Sequence, residues 1–224
     1  ILAVIFFLTL LISLVLILCL IFKPSIWRQN RGRIKVFGLL WFIPYFIFIC
    51  FFTGPEDLSA YPPGATSPYK LPWKAGVSRF VAQGSRSFTS HRGFHMYAWD
   101  FVMPIGTEVL AARDGRIEKV EDGFDGIGLD SNVIEVAHED GERSAYAHIR
   151  HHGALVKVGE FVKQGQPIAL SGMVGQAPGP HLHFLVINKE GTSSIPISFN
   201  DVSGGVPLAG HFYTSENAQR MELR

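Results

Sequence analysis

His181 and His183 alternate along Pro180-His181-Leu182-His183, between a Gly/Pro-rich turn and the apolar run Phe184-Leu185-Val186-Ile187. On an extended strand, side chains two residues apart project from one face, so both imidazoles would enter a single site. That pairing suits metal-assisted hydrolysis, in which one ring binds a cation and its neighbour moves a proton beside it. The same spacing also suits two surface histidines on a half-buried strand. Tyr146-Ala147-His148 repeats the i, i+2 pattern and would put a phenol and a third imidazole on a common strand face. Asp100 sits among aromatics in Tyr97-Ala98-Trp99-Asp100-Phe101, where an aspartate can ligate a cation or cap a turn. His91 and His95 precede it by nine and five residues. His138-Glu139 is followed by Asp140-Gly141-Glu142, so this stretch is not a His-Glu-x-x-His motif with its glutamate base. Both cysteines, Cys19 and Cys50, lie in apolar runs, so a metal held elsewhere must take histidine and carboxylate ligands.

The elements that would carry these residues read as β-structure. Between residues 76 and 213, short apolar stretches such as Arg116-Ile-Glu-Lys-Val, Asn132-Val-Ile-Glu-Val and Ala154-Leu-Val-Lys-Val are broken by Gly and Asp about every 8–12 residues. The alternation predicts a mainly β domain, an antiparallel sandwich or open barrel, with no amphipathic helix after residue 54. Pro104–Gly115 and Val158–Ala169 share a rhythm of Gly turn, short strand and second Gly, which suggests two related halves. Residues 54–75 are dense in Pro, Gly, Ser and Ala and read as a linker reaching the folded body near Leu71-Pro72-Trp73. Residues 214–224 read as a loosely ordered polar tail. The run Gly172–Pro180 either lines a substrate groove, where glycine admits close backbone approach, or serves as the turn that aims His181.

The first 53 residues have a different character. Residues 1–22 are uncharged, with Thr9 and Ser13 as polar interruptions, and match the roughly 20 residues a helix needs to cross a bilayer. This run exceeds a signal-peptide core and no small-x-small site follows it. Residues 36–52, with Gly38 and Pro44, predict a second, kinked span. The connecting segment 23–35 carries five basic residues and no acid, which places it on the cytoplasmic side and everything after residue 53 on the far side. All 19 acidic residues lie beyond position 53 with 15 of the 20 Lys and Arg, a net charge of −4 with His neutral. A mildly acidic domain with scattered bases excludes nucleic acid as an expected partner.

From Tyr69 to about Tyr213 the sequence resembles the zinc metallopeptidases of the lysostaphin/LytM type, cell-wall endopeptidases. The matching residues are His91, Tyr97-Ala98-Trp99-Asp100-Phe101, Pro104-x-Gly106-Thr107-x-Val109, Ala111-Ala112-x-x-Gly115 and Tyr146-Ala147-His148. Further on come Gly159, Gly165-Gln166, Ser171-Gly172 and Gly179-Pro180-His181-Leu182-His183-Phe184. The resemblance implies an antiparallel β core with a groove and one zinc ion on its floor. His91, Asp100 and His183 would be the metal ligands, and His148 and His181 the flanking catalytic histidines. Tyr146 would donate a hydrogen bond to substrate or pack in the core. The family's usual spacing puts its first histidine four residues before the aspartate, and position 96 here is Met. A variant with Ser-His-x-Gly, a short insertion and Tyr-Ala-x-Asp-Phe favours His91 over His95. The implied protein is a bacterial inner-membrane enzyme with its catalytic domain on the periplasmic or extracellular side, cutting peptidoglycan peptide cross-links. The alternatives are a non-catalytic regulator that binds wall or a partner protein through the same groove, and a structural metal site.

Overall fold

The computed structural model describes residues 58–87 and 90–218. The two expected spans and their basic loop lie outside these residues; among the described ones, no helix is long and apolar enough to cross a membrane. The strands are β1 (Ser78–Gln83), β2 (Trp99–Val102), β3 (Glu108–Leu110), β4 (Gly115–Glu121), β5 (Val133–Ala137) and β6 (Arg143–Ala147). They continue with β7 (Ile149–Ala154), β8 (Phe161–Val162), β9 (Pro167–Ser171), β10 (His181–Ile187) and β11 (Phe212–Thr214). The described helical elements are 3-10 turns at Leu58–Ala60, Gly64–Thr66 and Gly93–His95. The domain is thus mainly β, as the alternating pattern predicts.

Eight strands form one antiparallel sheet in the order β11-β1-β2-β10-β6-β5-β4-β8, and β3-β9-β7 form a second. The two Gly-punctuated segments pair across one another: β3 of the first with β9 of the second, and β4 of the first with β8 of the second. Their shared rhythm therefore corresponds to a reciprocal exchange of strands.

β10 is buried along its whole length and lies between β2 and β6. Its even-numbered residues Leu182, Phe184 and Val186 join Trp99, Phe101, Tyr146, Phe199 and Trp73 in the main core. Trp73 packs on Phe101 with ring centroids 4.9 Å apart, Trp99 on Phe199 at 5.4 Å, and Tyr146 on Phe184 at 5.2 Å. Truncating one such buried ring to alanine costs about 3–5 kcal/mol, whereas a typical hydrogen bond contributes about 1 kcal/mol net. Aromatic packing on the even face therefore fixes the register, and the odd face follows from it, with His181 and His183 at one end and Leu185 and Ile187 in a second apolar cluster at the other.

Two boundaries differ from the sequence reading. Tyr61, Tyr69, Leu71 and Trp73 are core residues, so the chain from Tyr61 onward is part of the domain and not a linker. Its Pro and Gly content reflects irregular backbone laid against the sheet, while its aromatic side chains supply the burial. Likewise residues 214–218 are built in: β11 pairs with β1, and Ser215 and Asn217 are buried. Asn217 donates through Nδ2 to the carbonyls of Leu71 at 3.0 Å and Ala111 at 3.1 Å.

Candidate metal centre

The odd face of β10 carries His181 and His183, and the ladder sets their neighbours. His183 stands directly opposite Asp100 of β2 on one side and Ala147 of β6 on the other. Asp100 alternates with the core residues Trp99 and Phe101, so the packing that buries those rings turns the carboxylate to the histidine face. Ala147 is small and leaves the space beside His183 open. His183 Nδ1 lies 2.8 Å from Asp100 Oδ1, His91 Nε2 lies 3.3 Å from the same oxygen, and His181 Nε2 lies 3.6 Å from it. The ligand atoms of His91, Asp100 and His183 lie within 4.8 Å of one another.

Three of the imidazoles are held by backbone carbonyls. His91 Nδ1 is 2.8 Å from Gly84 O, His148 Nδ1 is 2.8 Å from Val174 O, and His181 Nδ1 is 2.8 Å from Gly179 O. A carbonyl oxygen can only accept, so Nδ1 carries the hydrogen in each ring and Nε2 of the neutral ring is a bare acceptor. In His91 and His181 this acceptor faces Asp100 Oδ1. Two acceptors 3.3 Å apart repel unless a proton or a metal ion lies between them. An edge of about 3.3 Å is also what a tetrahedral ion with ligands at roughly 2.0–2.1 Å would impose. The donor set therefore fits a metal ion held by two imidazoles and one carboxylate, with a fourth position left free.

His183 is turned the other way, with Nδ1 toward Asp100 and Nε2 3.1 Å from His95 Nδ1. Burial works to raise the Asp100 pKa. With a hydrogen in place of a metal ion between them, hydrogen bonds and charge from His183 and His91 outweigh it and hold the carboxyl well below the usual carboxylate range. Burial, reinforced by the neighbouring His181, pushes the His148 imidazole down to about 4, so this ring is neutral at pH 7.

The strand alternation fails at one predicted pair. Tyr146 belongs to the core face with Phe184, and continued alternation would send His148 there too. Instead the chain leaves β6 after Ala147, and His148 adopts φ 63°, a left-handed conformation uncommon for a residue with a Cβ. This turn swings His148 across to the site, its ring 4.5 Å from that of His181 and 5.8 Å from that of His183. Tyr146 is fully buried and its hydroxyl accepts from Ala112 N–H at 2.8 Å, which corrects its assignment as a substrate contact.

The run Gly172–Pro180 serves as the clamp for this turn, since its carbonyls at 174 and 179 hold His148 and His181. Gly172 lies so close behind the turn that a Cβ there would stand 2.6 Å from Arg150 N and 2.8 Å from His148 O. Sequence reading missed Ser131, whose hydroxyl lies 3.1 Å from His148 Nδ1 and donates to Val174 O at 3.2 Å. It also missed the three carbonyls, which have no side-chain signature. Ser131 follows Gly-Leu-Asp in a turn that nothing in the sequence distinguishes from others.

Residues 94–196 match the model of peptidase family M23, a span that contains Asp100, His148, His181 and His183 and begins three residues after His91. Lysostaphin of Staphylococcus simulans is 37% identical over 120 residues, covering 54% of this chain and 23% of that protein. The peptidoglycan DD-endopeptidase ShyC of Vibrio cholerae serotype O1 is 40% identical over 96 residues, 42% of this chain and 19% of that one. The solved catalytic domain of S. simulans lysostaphin, crystallized without phosphate, shares 30% identity over 55% of this chain and 88% of its own, with a TM-score of 0.38. The matched part of this chain spans about a quarter or less of these curated relatives' length.

Proposed function

The folded domain belongs to peptidase family M23, of the lysostaphin/LytM type, and on that footing we propose that the chain is a membrane-anchored zinc endopeptidase hydrolysing peptide cross-links of bacterial peptidoglycan. The observation that carries this is the gathering of one ligand atom each from His91, Asp100 and His183 within 4.8 Å of one another, with His91 Nε2 3.3 Å and His183 Nδ1 2.8 Å from Asp100 Oδ1. When bound, zinc would supply Lewis-acid polarisation of the scissile carbonyl and would lower the pKa of its water to roughly 7.

The protein's own part is proton handling and positioning. His148 and His181 present unprotonated Nε2 atoms from rings that cannot rotate without breaking a carbonyl hydrogen bond. Either nitrogen can take the proton that water gives up as its oxygen joins the carbonyl carbon. The same proton, or one held by the partner ring, passes to the departing amine nitrogen as the C–N bond breaks. Because burial keeps His148 neutral, its acceptor is available across the whole neutral range. The aspartate orients and holds charge; its burial beneath the imidazoles keeps it from serving as the base.

The two apolar runs and the basic loop between them support an anchor in the cytoplasmic membrane with the domain on its outer side. A regulator that has lost catalysis would not need two additional locked histidines beside a three-ligand set.

The test is digestion of purified peptidoglycan by the zinc-loaded full chain, read as muropeptide masses. New products should come from the native protein. His181→Ala should keep zinc and lose the products, whereas His183→Ala should lose both. A zinc-loaded native chain that releases nothing would transfer the reading to a wall-binding regulator.

A further inference from the structure

We propose that His95 is a positioning residue that fixes the tautomer and orientation of His183, resting on the reading of His183 as a metal ligand. His91, His148 and His181 each donate Nδ1–H to a backbone carbonyl and so aim Nε2. His183 has the opposite orientation: Nδ1 faces Asp100 and the ligand cluster. To offer a lone pair through Nδ1, the neutral ring must carry its hydrogen on Nε2, and that hydrogen needs an acceptor. The atom it meets is His95 Nδ1, at 3.1 Å. His95 thus occupies the place that a carbonyl takes for the other three rings. It is not one of the gathered ligands, because its near nitrogen contacts the far side of His183 from Asp100.

The short insertion between His91 and Asp100 builds this contact. Gly93, with φ 56°, opens the 3-10 turn Gly93–His95. His95 N–H donates to Arg92 O at 3.1 Å, and its carbonyl accepts from Ala98 N–H at 3.1 Å. The turn is braced at Ser194, whose N–H donates to Phe94 O at 3.0 Å and whose Oγ accepts from Tyr97 N–H at 3.0 Å. The ring is further flanked by Phe94, with centroids 5.3 Å apart. A solvent-exposed histidine fastened at this many points is held to an address, and that address is His183 Nε2.

Partners of this kind typically change metal affinity about 10–100-fold. The experiment measures zinc affinity of the full chain by competition with a chromophoric chelator, alongside the melting midpoint of the metal-free protein. His95→Ala should weaken zinc about 10–100-fold with an unchanged metal-free melt. His95→Asn, which sets Oδ1 near the place of Nδ1, should restore affinity to within a few-fold of native. Native affinity in His95→Ala, or no recovery in His95→Asn, overturns the proposal. Complete loss in His95→Ala, equal to that of His183→Ala, overturns it by making His95 a ligand. Native affinity in His183→Ala would instead sink the underlying reading of the metal centre.

Discussion

Tyr146→Phe separates a core role from a substrate role at one residue. The substitution removes only Oη and keeps the ring that packs on Phe184 at 5.2 Å. What is lost is the acceptor for Ala112 N–H, a buried donor whose 2.8 Å hydrogen bond to Oη would have no replacement. Ser144 Oγ, 3.1 Å from Oη, keeps His138 Nε2 at 3.0 Å as a partner, so its loss adds little. Stranding one buried N–H costs about 1–3 kcal/mol. For a domain of this size each kcal/mol moves the melting midpoint by roughly 2–4 °C, so about 2 kcal/mol should lower it by roughly 4–8 °C. The paired assay is a thermal melt and a cleavage rate at 25 °C, where both proteins are folded. The expected result is a lower melt with unchanged kcat and KM. An unchanged melt with a large loss of rate would refute the reasoning and return Tyr146 to the substrate.

Acid should destabilise the domain through His138, whose imidazole burial pushes from 6.5 down to about 4, helped by Arg113. The unfolded chain protonates near 6.5 and the folded one only near 4. Stability is therefore intact above 6.5 and falls by about 3 kcal/mol on the way to pH 4. Urea titrations at pH 7 and pH 4 should show this loss shrinking in His138→Gln, and an equal loss in both proteins would reject the assignment. Gly172→Ala should cut cleavage at least tenfold, since its Cβ meets backbone at 2.6–2.8 Å and must displace the His148 turn. Native cleavage in that variant would show that the turn does not depend on this close approach.

How much of this was legible depended on whether strand alternation held. It held in β10 and β2, so the shared face of His181 and His183 follows from residue spacing, whereas for Asp100 spacing leaves a ligand and a turn cap both open and the family resemblance supplies the choice. It failed at His148, where a left-handed residue reverses the expected face, and no local sequence signal marks a histidine for that conformation. Segment 61–73 was misread because proline and glycine dominate its composition, although Tyr69, Leu71 and Trp73 already alternate at core spacing. Strand order was not legible, since pairings such as β2 with β10 join residues about 80 apart. The carbonyl locks were invisible because every residue carries a carbonyl, and only the fold selects which ones face an imidazole.

The two ends of the described domain are stitched together, and this dictates when folding can finish. Ala75 and Gly76 donate to the carbonyls of Asn217 and Ser215, β11 covers the edge of β1, and Asn217 reaches Leu71 and Ala111. A chain emerging from its N-terminal end can form local hairpins such as β4–β5 and β5–β6 early, because their loop closures are short. The segment 61–77, however, waits with an open strand edge until residues 212–217 arrive roughly 140 positions later. Closure of this seam is therefore a late event of biogenesis. Until it happens, the nascent domain offers β1 as an unpaired edge to any passing strand, and a chain halted short of residue 212 would remain in that state.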